Sequence, residues 1–192
     1  MDDHPYRQPT PARRRATPNQ VLALLRAGKV VRSLHVTEPL NLRRLVEARD
    51  YVRKPIHFFD CQLPYVDLSF VYVEAPVIFS ACAIDELLAM AGYFFGGLTI
   101  ERCEIAGPTN LSCGGHNRNG HAVVLSDTRF GGFVDFCDNQ YEGPVRIERC
   151  QFTSGTNLFH PYSSCSVHFK VPPIVEANAG ELAASGPLGT TG

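Results

Sequence analysis

The sequence predicts an all-β solenoid of about six stacked coils, closed at its N-terminal end by a short α-helix. Three observations predict it. An apolar pattern recurs at steps of 21, 21, 25 and 22 residues. Within each copy, equivalent apolar positions lie five residues apart, a spacing that neither a helix of period 3.6 nor a hexapeptide coil produces. A single amphipathic segment with a helix-start signal precedes the first copy.

Taken in order, residues 1–16 are rich in Pro and Arg and poor in apolar side chains, so they read as a mobile basic tail. Thr17-Pro18-Asn19-Gln20 supplies an N-cap threonine, a proline at the first helical position and a glutamine at the third, the pattern of a capping box. Val21, Leu22, Leu24 and Leu25 form one apolar face, and Gly28 is placed to end the helix in the left-handed conformation. The predicted helix spans 17–28 and covers the first coil.

The repeat domain is expected over 29–160. Its first register reads Ile56, Phe58, Cys61, Leu63, then Val77, Phe79, Cys82, Ile84, then Leu98, Ile100, Cys103, Ile105. It continues as Val123, Leu125, Thr128, Phe130 and as Val145, Ile147, Cys150, Phe152. About eleven residues after each start comes a second half: Val66-Asp67-Leu68, Leu88-Ala89-Met90, Thr109-Asn110-Leu111, Val134-Asp135-Phe136 and Thr156-Asn157-Leu158. Leu40-Asn41-Leu42, preceded by Val31, Leu34 and Val36, is an earlier copy. Val167, Phe169 and Val171 alternate ahead of Pro172-Pro173, so 161–175 is expected to be a short strand or cap. The small, polar residues 176–192 read as a second mobile tail.

Val66-Asp67-Leu68, Thr109-Asn110-Leu111, Val134-Asp135-Phe136 and Thr156-Asn157-Leu158 resemble the motif of the pentapeptide-repeat family: a small residue, Asp or Asn, then a large apolar residue. The resemblance covers about 29–160 and implies a right-handed parallel β-helix with four five-residue faces per coil. Extra residues, often at Gly-Pro as in Gly107-Pro108 and Gly143-Pro144, depart from that motif and predict bulged corners. Stacking at ~4.8 Å makes six coils a rod roughly 24 Å tall.

The charge balance, 18 basic against 19 acidic side chains, gives no reason to expect direct binding of nucleic acid or of an acidic membrane. The total conceals a split: residues 1–54 carry 12 basic and 5 acidic groups, whereas 55–160 carry 5 and 12. No apolar run reaches the length of a spanning helix, and the N-terminus lacks a leader's apolar stretch, so a cytoplasmic protein is expected. Seven cysteines without a C-x-x-C pair argue against a disulfide framework or zinc knuckle. Cys61, Cys82, Cys103 and Cys150, with Thr128 between the last two, share an inward register and read as packing residues.

The candidate functional residues follow from the exceptions to the repeat. Asn41, Asp67, Asn110, Asp135 and Asn157 share one register; their alternation of Asp with Asn suits hydrogen bonding to turn backbone better than proton transfer. Two insertions, between Glu47 and Ile56 and between His116 and Val123, leave the same edge of the rod. They nominate Arg49, Tyr51, Arg53, His116, Asn117, Arg118, Asn119 and His121 as a partner-contacting edge, because irregular loops on rigid scaffolds carry recognition. The outward Asp135, Asp138 and Glu148 are the candidate acidic surface. The family resemblance implies a DNA-mimicking role in which such carboxylates engage a type II topoisomerase such as gyrase. The expected function is therefore non-enzymatic: a protein-interaction scaffold, with no metal or cofactor, and with a homodimer through the C-terminal end as a further option. The alternative is an enzyme or ligand-binding β-helix that uses the 113–121 loop.

Overall fold

The computed structural model describes residues 13–46, 51–160 and 165–186. The chain winds as a parallel β-solenoid, with every strand pair parallel and with registers that advance one coil at a time. The second coil shows the cross-section. Its buried residues are Ile56 and Phe58, Cys61 and Leu63, Val66 and Leu68, then Val71 and Val73, four pairs each two residues apart. Each pair marks one side of the coil, so four sides of five residues are observed, two of which the half-coil reading had merged with their neighbours.

Side one is a seven-stranded ladder through Val31–Arg32, Ile56–Phe59, Val77–Ser80, Leu98–Glu101, Val123–Ser126, Val145–Glu148 and Ile174–Glu176. Sides two and three are one continuous strand in the second and third coils, Gln62–Asp67 and Ala83–Leu88. In the fourth and fifth coils each divides into two short strands. Extra corner residues cause the break, as the Gly107-Pro108 spacing predicted. A Cβ on Gly132 would lie 2.4 Å from the Gly107 carbonyl carbon, so two stacked corners pass backbone against backbone and leave no room for a side chain. Side four carries Tyr51–Val52, Tyr72–Val73 and Tyr93–Phe94.

The bends are made by single left-handed residues in two columns. Ser33, Asp60, Ala81, Arg102, Asp127, Arg149 and Ala177 turn side one into side two with φ between 49° and 53°. Phe70, Ala91, Cys113 and Asp138 turn side three into side four. A left-handed non-glycine residue costs about 1–2 kcal/mol. Here bend amides donate to the carbonyl one coil on, as from Asp60 to Ser80, Ala81 to Glu101 and Arg102 to Ser126, all at 3.0 Å. Stacking thus fixes a conformation that the isolated residue would avoid.

The helix, Pro18–Arg26, has the expected capping box: Gln20 N–H donates to the Thr17 hydroxyl, and Thr17 N–H to the Gln20 side chain at 2.9 Å. Val21, Leu22 and Leu25 are buried against the first coil, and Gly28 is left-handed with φ 68°. Inside the rod, aromatic rings stack coil on coil: Phe58 on Phe79 at 5.3 Å and Phe130 on Phe152 at 5.2 Å between centroids.

Two expected boundaries are corrected. The segment read as a tail over 1–16 ends in a strand, Arg14–Ala16, which pairs with Leu34–Val36; the open backbone edge of the first coil supplies hydrogen bonds that its composition does not reveal. The tail read over 176–192 contributes Ala179–Gly180, paired with Gln151–Phe152, and continues the winding into a partial seventh coil. The short strand expected in 161–175 is His168–Phe169, paired with Gln140–Tyr141, and Ile174–Glu176 adds the last rung of side one. Among the described residues no helix is long and apolar enough to cross a membrane.

Candidate binding face

Side four differs from the other three because its outward positions are aromatic. Tyr51, Tyr72, Tyr93 and His116 form one column, with ring centroids 5.5, 4.7 and 4.7 Å apart. Gln140 and His168 extend the column along the same side. Two residues further on, a second column contains Arg53, Glu74, Phe95 and Arg118. The Arg53 Nε lies 3.3 Å from Glu74 Oε2, and the Arg118 guanidinium sits over the Phe95 ring at 4.6 Å from its centroid. Phe95 also approaches Tyr72 and Tyr93, at 6.3 and 6.1 Å. Tyr72, Tyr93 and His116 stack ring on ring and Tyr51 meets Tyr72 at a 40° tilt, on a side whose strands at 51–52, 72–73 and 93–94 pair in parallel.

The described residues of the two segments expected to leave the rod as insertions contribute to this side. Tyr51 lies in a strand, while Arg49 falls outside the described residues. His116 occupies the ring column because Gly115, left-handed at φ 79°, absorbs one extra residue after the bend at Cys113. That shift turns Asn117 inward, which corrects its assignment as a partner contact. Asn117 is 1% exposed; its amide donates to the His121 and Pro144 carbonyls at 2.7 and 3.0 Å and accepts from Gly143 N–H at 3.0 Å. An amide that fills its hydrogen-bonding capacity with backbone is a structural clamp. Asn119 and His121 are exposed in the turn that follows. The face therefore gathers Tyr51, Arg53, His116 and Arg118, and it adds Tyr72, Tyr93 and Phe95, which lay outside the original set. The signal for Tyr72 and Tyr93 was in the chain: tyrosine at 51, 72 and 93 repeats at the coil length of 21.

The candidate acidic surface is not one patch. Asp135 and Asp138 sit at the corner between sides three and four, whereas Glu148 ends side one, two corners away. Glu148 is paired with Arg146 at 2.7 Å and Arg149 at 3.5 Å. Elsewhere carboxylates meet arginines: Asp60 with Arg13, Glu101 with Arg102, Glu104 with Arg129, and Asp127 with Arg149, at 2.7–3.1 Å. The alternating outward column of Arg102, Asp127 and Arg149 is thus partly self-neutralised, with Arg149 donating to both Asp127 oxygens at 2.7 and 2.8 Å. Arg149 holds the Asp127 carboxyl below the usual range.

The register of Asn and Asp serves backbone, as its composition suggested. Asn41, Asp67, Asn110 and Asp135 each accept from the amide two residues on, at 2.8–3.0 Å. The inward cysteines are likewise structural. Cys82 N–H donates to the Cys103 sulfur at 3.4 Å, Cys103 N–H to the Thr128 hydroxyl at 3.2 Å, and Cys150 N–H to the Asn178 carbonyl at 2.8 Å. The Cys103 thiol and burial together push Cys82 up to about 12, and burial pushes Cys150 up to about 11, so neither is a thiolate near neutrality.

The fold and this face define a β-solenoid with one rigid aromatic side. Comparison with family models, with curated proteins and with solved structures returns no match, so the functional reading rests on these residues.

Proposed function

We propose that the protein is a non-enzymatic scaffold that binds another protein across side four. The observation that carries this reading is the double column of Tyr51, Tyr72, Tyr93 and His116 beside Arg53, Phe95 and Arg118 on one side of the solenoid. Tyr and Arg are the side chains that most often anchor protein interfaces, and rings already stacked lose little entropy on contact. Arg118 makes no ion pair among the described residues, so the matching partner surface presents carboxylates to it.

The gyrase-directed role suggested by the family resemblance would use the carboxylates instead, and it is separable by experiment. Partner capture is compared for the natural chain, for Tyr93→Gln with Arg118→Glu, and for Asp135→Asn, which keeps the turn acceptor, with Asp138→Lys and Glu148→Lys. Glutamine is chosen because Gln140 occupies the same column one coil beyond His116. The expected result is loss of the partner in the side-four variant at unchanged melting temperature, with capture retained by the carboxylate variant. Wild-type capture by the side-four variant refutes the proposal. Inhibition of gyrase supercoiling that disappears only in the carboxylate variant would replace it with the DNA-mimic role.

A further inference from the structure

At the corner between sides three and four, where the fifth coil meets the sixth, three groups with metal-ligand chemistry converge. The Asp135 carboxylate and the Cys137 and Cys165 thiols place their ligand atoms within 4.8 Å of one another, and all three residues are half-buried. The solenoid brings them together from two segments. Asp135 is fixed in its turn by accepting the Cys137 amide at 2.9 Å, and Cys137 precedes the left-handed bend at Asp138. Cys165 precedes the strand His168–Phe169, which is anchored to Gln140–Tyr141.

Asn157, 5% exposed and one coil further along, ties the group together. Its carbonyl accepts the Phe136 amide at 2.7 Å, while its NH2 group donates to Asp135 Oδ1 at 2.7 Å and to the Cys165 sulfur at 3.2 Å. One buried amide therefore orients both a carboxylate and a thiol, the role that outer-sphere groups play around metal ligands. Among the described residues the other corners of this column have no such set: at Asp67 and Asn110 the acceptor meets a serine amide instead.

We propose that Asp135, Cys137 and Cys165 form a site for a thiophilic divalent cation, zinc by ligand type. Two thiolates and one carboxylate in tetrahedral reach match the preferences of zinc and exclude magnesium or calcium, which take oxygen sets. On binding, each thiol releases its proton to solvent, so affinity rises with pH. The bound ion would staple the segment that begins at Cys165 to the fifth coil, at the end of the rod opposite the capping helix.

The test uses the full chain, reduced with a phosphine and titrated with Co2+ as an optical probe. The expected result is sulfur-to-cobalt charge-transfer absorption with tetrahedral bands that saturate at one equivalent and bleach when Zn2+ is added. Cys137→Ser and Cys165→Ser should each abolish the charge-transfer band, while Cys113→Ser, at an exposed neighbouring position, should keep it. Zn2+ should also protect two thiols of the natural chain from alkylation, a readout that needs no variant to fold. Absence of the charge-transfer band in the natural chain, its survival in both serine variants, or a Cys137–Cys165 disulfide that forms in place of metal uptake under these reducing conditions overturns the assignment.

Discussion

Replacing Thr128 by valine isolates the inner polar column from every other feature of the rod. Thr128 is 2% exposed; its hydroxyl accepts the Cys103 amide at 3.2 Å and donates to the Ser126 carbonyl at 2.8 Å. Valine keeps the volume and β-branching but removes both bonds, leaving a buried N–H without an acceptor. That loss costs about 1–3 kcal/mol for the orphaned donor, offset only in part by the added methyl group. Thr128→Cys is the matched control, because Cys61, Cys82, Cys103 and Cys150 occupy the same register in other coils; the sulfur restores a weaker acceptor, and the expected cost is under about 1 kcal/mol. Equilibrium urea unfolding measures both, with the midpoint reporting stability and an unchanged slope certifying that the unfolding reaction is the same. A valine variant within about 0.5 kcal/mol of the natural chain, or a cysteine variant as damaged as the valine one, would refute the claim that this column exists to satisfy corner amides.

Two further outcomes follow from the corners. The Ser33 hydroxyl at 2.7 Å and the Arg13 guanidinium at 2.9 Å hold the Asp60 carboxyl below the usual range, so its contribution is fully present above pH ~4 and is lost as pH falls through the depressed folded value. Asp60→Asn should lower stability at neutral pH and flatten the acid limb of stability against pH; an unchanged acid limb would contradict the linkage. Ala81 bends the chain at φ 53°, where a β-branched side chain is strained, so Ala81→Val should lower unfolding free energy by about 1–3 kcal/mol while Ala81→Gly stays within about 1 kcal/mol. Equal urea midpoints for the two variants would show that the corner is not conformationally demanding.

The sequence alone determined the winding, because its cause is local and repeated. Apolar residues two and three apart, such as Phe58, Cys61 and Leu63, can be buried together only if the chain turns every five residues, and a step of 21 makes copies stack. Thr17 to Gln20 carried the helix start in four adjacent residues. The Asx register was legible for the same reason: a side chain bonding the amide two residues on needs no distant partner.

What the tertiary structure decided depends on neighbours one coil away. Nothing near Asn117 in the chain says that Gly115 shifts its register and turns it inward, where Gly143 and Pro144 wait to bond it. Tyr72 and Tyr93 stood in plain view, but only stacking made a single face of them with Tyr51 and His116. Glu148 and Asp135 share a sign and are separated by two corners, so composition counted as one surface what the coil places on two. Arg14–Ala16 and Ala179–Gly180 have tail-like composition and become strands because the open edges of the end coils offer backbone partners. Periodicity is a property of the chain and can be read along it; lateral contact between coils is a property of the stack and exists only once the chain has wound.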